Sequence, residues 1–166
     1  MKTFKKMMMA AGLLAAATPA LAADDVISTR LMTAELAADI AKAAMLDCRA
    51  KGYQVSAVVV DRAANTQVVM RDTLAARFTI QIAEEKANAV VMSGVSSKDF
   101  VENRADIRME MNHVDGITML EGGLPITAAG ASLGAVGVSG APGGDIDAAC
   151  AQAGLDAVAE RLMFIE

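Results

Sequence analysis

Leu36, Ile40, Ala44 and Cys48 recur at every fourth position between more polar neighbours, and this spacing predicts an amphipathic helix over residues 33–51. Thr33 is placed to cap it, Glu35 suits the positive first turn, and Gly52 stops it. The pattern then changes. Residues 55–61, with the run Val58-Val59-Val60, are β-branched and almost continuously apolar, as in a strand covered on both faces. Arg62 to Asn65 is turn material, and Thr66 to Arg71 returns as a second strand, so residues 55–71 read as a hairpin.

A second helix is predicted over 77–93, with Phe78, Ile82, Lys86, Ala89 and Val90 along one side. Ser96 to Asp99 can cap a further helical segment that reaches about Asn103. Residues 104–116 are charged and lack a clear period, and they read as a loop or frayed helix suited to the rim of a site. Ile117 to Leu120, Pro125 to Thr127 and Leu133 to Gly140 read as three more strands. Nine of the 13 glycines lie between positions 116 and 144, which suits tight hairpins and close backbone approach within a sheet. A last helix opens near Asp145 and Asp147 and runs to about Met163. Strands that pair in hairpins between helices imply an α+β domain on an antiparallel sheet of about five strands, not a doubly wound parallel sheet.

The first 22 residues belong to a different pattern. Lys2, Lys5 and Lys6 precede the apolar run Met7 to Ala17, Pro19 breaks it, and Ala20-Leu21-Ala22 has the small-x-small form of a cleavage site. The run is short for a hydrocarbon core of ~30 Å, so a cleaved signal peptide over 1–22 is expected rather than a membrane anchor or a buried helix. The expected product is then residues 23–166, a single domain, periplasmic or secreted, without stable membrane insertion. With three lysines and no acids lost, the net charge moves from −5 to −8. That charge argues against a nucleic-acid partner, and an apolar content of 54% argues against disorder.

The glycines of Gly134-Ala-Val-Gly137-Val-Ser-Gly140 are not in GxGxxG order, and no GxxxxGK[ST] motif occurs, so they read as packing residues rather than a phosphate loop. One histidine and no GxSxG motif make a hydrolytic triad a poor reading. Two cysteines, Cys48 and Cys150, offer no zinc-ligand spacing. In an exported chain they are candidates to pair with each other, and two separate buried thiols are the alternative. His113 lies in Met109-Glu-Met111-Asn-His113, and imidazole and thioether both ligate haem iron; an exposed loop histidine beside chance methionines is the plainer reading. Arg71 and Lys86 are candidate cations for a carboxylate or propionate. A solvated Arg71–Asp72 turn pair and a snorkelling Lys86 are the alternatives.

Val58-Val-Val-Asp61, Arg71-Asp72, Glu85-Lys86-Ala87, Gly122-Gly123-Leu-Pro125-Ile126, Leu133-Gly-Ala-Val-Gly-Val-Ser139-Gly140 and Asp147 to Gly154 together resemble the GlcG/HbpS family. This family is also called the haem-degrading or PduO C-terminal-like domain family. The resemblance covers about residues 30–164, and its most specific part is the GGxPI…GxxGVSG sequence. Arg71-Asp72-Thr73-Leu-Ala-Ala76 lacks the glycine common after the second strand, and 104–116 matches no family pattern, so no relative's axial ligand transfers to His113.

The resemblance implies a five-stranded antiparallel sheet with flanking helices in a profilin- or PAS-like arrangement. It also implies higher homo-oligomers and a tetrapyrrole ligand, haem ahead of a corrinoid. The leading expectation is an exported haem-binding protein in haem or iron handling or sensing. Its pocket would lie between the sheet, helix 77–93 and loop 104–116, with Arg71 and Lys86 on the propionates and His113, Met109 or Met111 on the iron. The other expectation is a small-organic-acid enzyme, or an accessory protein of small-acid catabolism, using Asp61 or Lys86 in acid–base work.

Overall fold

The structure, a computed structural model, describes residues 27–164. The leader expected over residues 1–22 lies outside them. Helix α1 (Ala34–Ala50) is followed by strands β1 (Ser56–Asp61) and β2 (Thr66–Arg71), then helices α2 (Phe78–Ser93) and α3 (Ser97–Asn103). A 3-10 turn at Ala105–Ile107 leads into the single-turn helix α4 (Arg108–Met111). Strands β3 (Gly123–Ala128) and β4 (Ala131–Ser139) and helices α5 (Gly144–Asp156) and α6 (Ala159–Met163) complete the chain.

The four strands form one antiparallel sheet in the order β2-β1-β4-β3. β1 lies between β2 and β4, and all of its residues but Asp61 are buried. Its unbroken run of β-branched side chains has this cause, because both faces of the sheet are covered. On one face α1 and α5 pack Leu36, Ile40, Ala44 and Ala151 against Val59 and Val136. On the other, α2 packs Ala83, Ala87 and Val90 against Val58, Val60 and Ala135. The architecture is therefore three layers of α+β type.

The sheet has four strands, not the five expected. Ile117 to Leu120 has no neighbouring strand. Its backbone instead meets a side chain, as the Met119 amide donates to Asn112 Oδ1 at 2.9 Å. Met119 is fully buried with Ala89 and Phe100, so the apolar run is held by α2 and α3 and needs no ladder. The last helix is likewise divided, ending at Asp156 and resuming at Ala159.

Two glycines explain how tightly α2 lies on the sheet. A Cβ on Gly137 would sit 1.9 Å from the Ala83 carbonyl oxygen, and one on Gly123 would sit 2.6 Å from the Lys86 carbonyl oxygen. No side chain of any size fits between helix and strands at these points. Helix and strands are in direct contact at these points, and the cavities that border α2 lie at its ends and along its sides.

Cys48 of α1 and Cys150 of α5 are joined in a disulfide with a Cα–Cα distance of 5.5 Å. The bond ties together the two helices that share one face of the sheet.

Candidate functional site

Several cavities border α2, and two of them hold the residues that bear on ligand binding. The first lies at its C-terminal end, against α3, the 3-10 turn and α4, and has a volume of about 450 Å³. Met92, Val95, Phe100, Ile107 and Met111 give it apolar walls, and Arg104 stands at its side. The sequence supplies these walls through short helices. Ser96 caps α3, its hydroxyl accepting from the Asp99 amide at 3.1 Å, and this turns the chain so that Phe100 points inward. Arg104 is paired with Asp106 at 3.1 Å in an exposed contact, and its guanidinium holds the Asp106 carboxyl below the usual carboxylate range.

The second cavity, of about 280 Å³, lies on the other side of α2. Lys86, Ser139, Asp147 and Glu121 line it together with the Gly143-Gly144 corner. Lys86 is only 3% exposed. Its ammonium donates to Asp147 Oδ2 at 2.7 Å and to the Val138 carbonyl at 2.9 Å. Asp147 accepts a further bond from the Ala141 amide at 3.0 Å. Burial pushes the Asp147 carboxyl up; the Lys86 charge and hydrogen bond pull it down without cancelling the shift. The glycine-rich motif builds this place. A Cβ on Gly122 would meet Lys86 Nζ at 2.7 Å, and one on Gly144 would meet the Glu121 carbonyl oxygen at 2.7 Å.

The residues singled out by sequence fall in different places. Met111 lines the first cavity, whereas Met109 is 74% exposed on α4 and His113 is exposed in the turn that follows. Lys86 belongs to the second cavity, with its charge already matched. Arg71 is exposed at the end of β2 and donates to the Ala75 carbonyl. It is not Arg71 but Arg49 that engages Asp72, through two 2.8 Å bonds that lower the Asp72 carboxyl despite its desolvation. Asp61 anchors the β1–β2 turn. Burial raises its carboxyl, but bonds from the Asn65 side chain and the Asn65 and Ala63 amides outweigh this and hold it low.

The structure therefore does not bring His113, Arg71 and Lys86 into one cavity. Met92, Arg104 and Asp147 are the residues that sequence reasoning missed. For Asp147 a signal existed, because a lysine among the apolar positions of α2 calls for a buried counter-charge. Met92 and Arg104 carried none, since only the packing of α3 brings them together.

The folded chain is similar to several solved structures. A double mutant of the Streptomyces reticuli HbpS is 33% identical, with a TM-score of 0.75 over 86% of this chain and 97% of that one. The Klebsiella pneumoniae protein ORFY has a TM-score of 0.75 at 23% identity, covering 86% of this chain and 97% of that one. A PduOC–haem complex has a TM-score of 0.68 at 21% identity over 77% and 95% of the two chains. The last two bear on the fold alone. No curated protein sequence matches the chain significantly. The family model described as haem degrading protein HbpS-like matches residues 32–156, and the chain therefore belongs to the HbpS-like family.

Proposed function

We propose that this protein binds haem, that it is exported, and that it serves in haem or iron handling or sensing as a homo-oligomer. The single observation that carries the ligand is the cavity at the C-terminal end of α2. Its apolar walls include two thioethers, Met92 and Met111, and a guanidinium, Arg104, stands beside them. A haem needs an apolar surround, a soft or imidazole donor for its iron and a cation for its propionates, and these residue types meet all three needs. In this reading Met111 would hold the iron, Met92, Phe100 and Ile107 would supply the apolar surround, and Arg104, now paired with Asp106, would be the cation for a propionate. The bound haem would supply redox chemistry or a ligand-sensitive iron, and the chain would supply orientation and exclusion of water. Support from the family is of the same kind, because the matching family model is described as a haem degrading protein.

The test is an absorbance titration of the purified protein with haem. A saturable Soret band at about one haem per chain is expected, and a Met92→Ala/Met111→Ala double variant should bind with a shifted band and weaker affinity. No band at micromolar protein, or an unchanged band in the double variant, would overturn the corresponding part. Export is tested by the N-terminal mass of the protein recovered from the periplasm or medium, where cleavage after Ala22 is expected. Native mass spectrometry tests the assembly.

A further inference from the structure

We propose that residues 105–118 form a strap along one side of α2, latched by Asn88, and, on the haem reading above, that its opening admits haem to the cavity at Met111. Gln81, Glu85, Asn88 and Met92 follow one another at helical spacing along α2, and they line three cavities that lie beside the segment. The segment supplies a wall to each. Ile107 and Met111 border the cavity of about 450 Å³, and Asp115 and Ile117 border one of about 290 Å³. Asn112 and Val114 border a third of about 620 Å³. Voids of this size between a segment and the helix beside it mean few packing contacts to hold it.

The segment is fixed at both ends and lightly tied between them. Before it, the Arg104 amide donates to the Phe100 carbonyl at 3.0 Å. After it, Met119 is fully buried and the Gly123 amide donates to Ser97 Oγ at 2.9 Å. Between these points the 3-10 turn and α4 bury no residue. Among the described residues, one hydrogen bond joins the segment to another element of the fold, from Asn88 Nδ2 to the Gly116 carbonyl at 3.0 Å. Its other bonds lie within its own turns or run to the adjacent Arg104 and Met119.

The latch is only half satisfied. Asn88 Oδ1 is buried without a hydrogen-bond partner, the one such side-chain atom among the described residues. Closing takes water from this oxygen and returns nothing, so the side chain that holds the strap down also favours its release. Lifting the strap joins the cavities, because Met92 borders two of them and Ile117 borders two. A flat macrocycle then has an open side by which to enter. Asn88 does not line the cavity at Met111, so it acts on haem through the strap and is a positioning residue.

The experiment is amide-resolved hydrogen exchange of the full protein without haem, followed by stopped-flow haem binding. Short helical turns do not persist alone, so a lifted strap exchanges its amides. In the parent, the Val114 and Ile117 amides are expected to exchange about a hundredfold or more faster than those of Val59 and Val136 in the sheet. Asn88→Asp keeps the shape of the side chain but puts an acceptor against the Gly116 carbonyl. It should speed exchange in the strap about tenfold or more and leave Val59 and Val136 unchanged. Haem association and release should then both be about tenfold faster at nearly unchanged affinity, because the variant disfavours the closed strap equally with and without haem. A residue that only shaped the cavity would move the affinity instead. The strap is overturned if Val114 and Ile117 are as protected as Val59 in the parent, or if Asn88→Asp leaves their exchange unchanged or speeds the sheet equally. Faster exchange without faster haem association overturns the gate. Failure of haem to bind parent and variant alike strikes the haem reading and the gate together, while exchange alone decides the strap.

Discussion

Lys86 Nζ and Asp147 Oδ2 stand 2.7 Å apart, with only 4% and 5% of their side chains exposed. This pair bridges α2 and α5, helices on opposite faces of the sheet, past the end of β4. Removing one partner leaves an uncompensated charge in a dry place, which is far more costly than replacing both by apolar groups. Lys86→Met is therefore expected to lose about 3–5 kcal/mol, and Lys86→Met/Asp147→Leu to recover most of it. Urea denaturation of the two variants checks this. A loss below about 1 kcal/mol in the single variant would show that the pair is not a buried constraint.

Two of the shifted carboxyls, Asp72 and Asp147, give opposite pH dependences. Asp72 is held low by Arg49, so the stability it contributes is present above the ordinary carboxylate range and is lost as pH falls through that range. Asp147 is held high by burial, so its contribution is complete below that range and declines as pH rises through its elevated value. Arg49→Met should flatten the acid limb of a melting-temperature profile. Asp147→Asn should remove the decline above the carboxylate range while lowering stability throughout. A profile of Arg49→Met parallel to that of the parent would refute the assignment to Asp72.

The Cys48–Cys150 bond closes a loop of 102 residues in separation. Chain entropy alone gives such a closure about 4–5 kcal/mol at 25 °C. The Cys48→Ala/Cys150→Ala variant should melt well below the parent, with reduced parent protein falling to the same value. Mass analysis under non-reducing conditions should find no free thiol, and two free thiols in the purified protein would contradict the bond.

Gly137→Ala is expected to be among the most damaging small substitutions in the chain. Its methyl would meet the Ala83 carbonyl oxygen at 1.9 Å, and α2 would have to rise off the sheet. A cost of about 3 kcal/mol or more follows for such overpacking. Gly52→Ala offers the contrast, because its φ of +88° is strained for alanine but open space surrounds it, and about 1 kcal/mol is expected. Equal losses for the two, measured by thermal melting, would refute the packing argument.

The proposed haem site includes Met111 and leaves out His113. The thioether lines the cavity and the imidazole stands in solvent beyond α4. His113→Ala is expected to leave the Soret band in place, and Met111→Ala to shift it. The opposite result would assign the iron to the imidazole named by the sequence motif.

Much of this fold was legible in the chain because the signals are local. The fourfold spacing from Leu36 to Cys48, the cap at Thr33 and the unbroken run Val58 to Val60 each need only a few neighbouring residues to express themselves. α1, α2, the β1–β2 hairpin and the strand character of β3 and β4 follow from them. Their crowding of glycines also identified close packing, now seen where Gly137 and Gly123 meet α2.

Other features depend on partners far along the chain, and no local pattern contains them. Ile117 to Leu120 has the composition of a strand, but a strand exists only where another offers a ladder, and here Asn112, α2 and α3 hold the segment instead. Lys86 reads as a cation free for a ligand until α5 brings Asp147 to it from 61 residues away. Arg49 takes the Asp72 that the sequence assigns to its neighbour Arg71. Thus periodicity and capping alone determined α1, α2, the hairpin and the class of fold. Only tertiary packing decided the strand count, the ion pairs and the cavities, because each depends on which distant surfaces exclude water together.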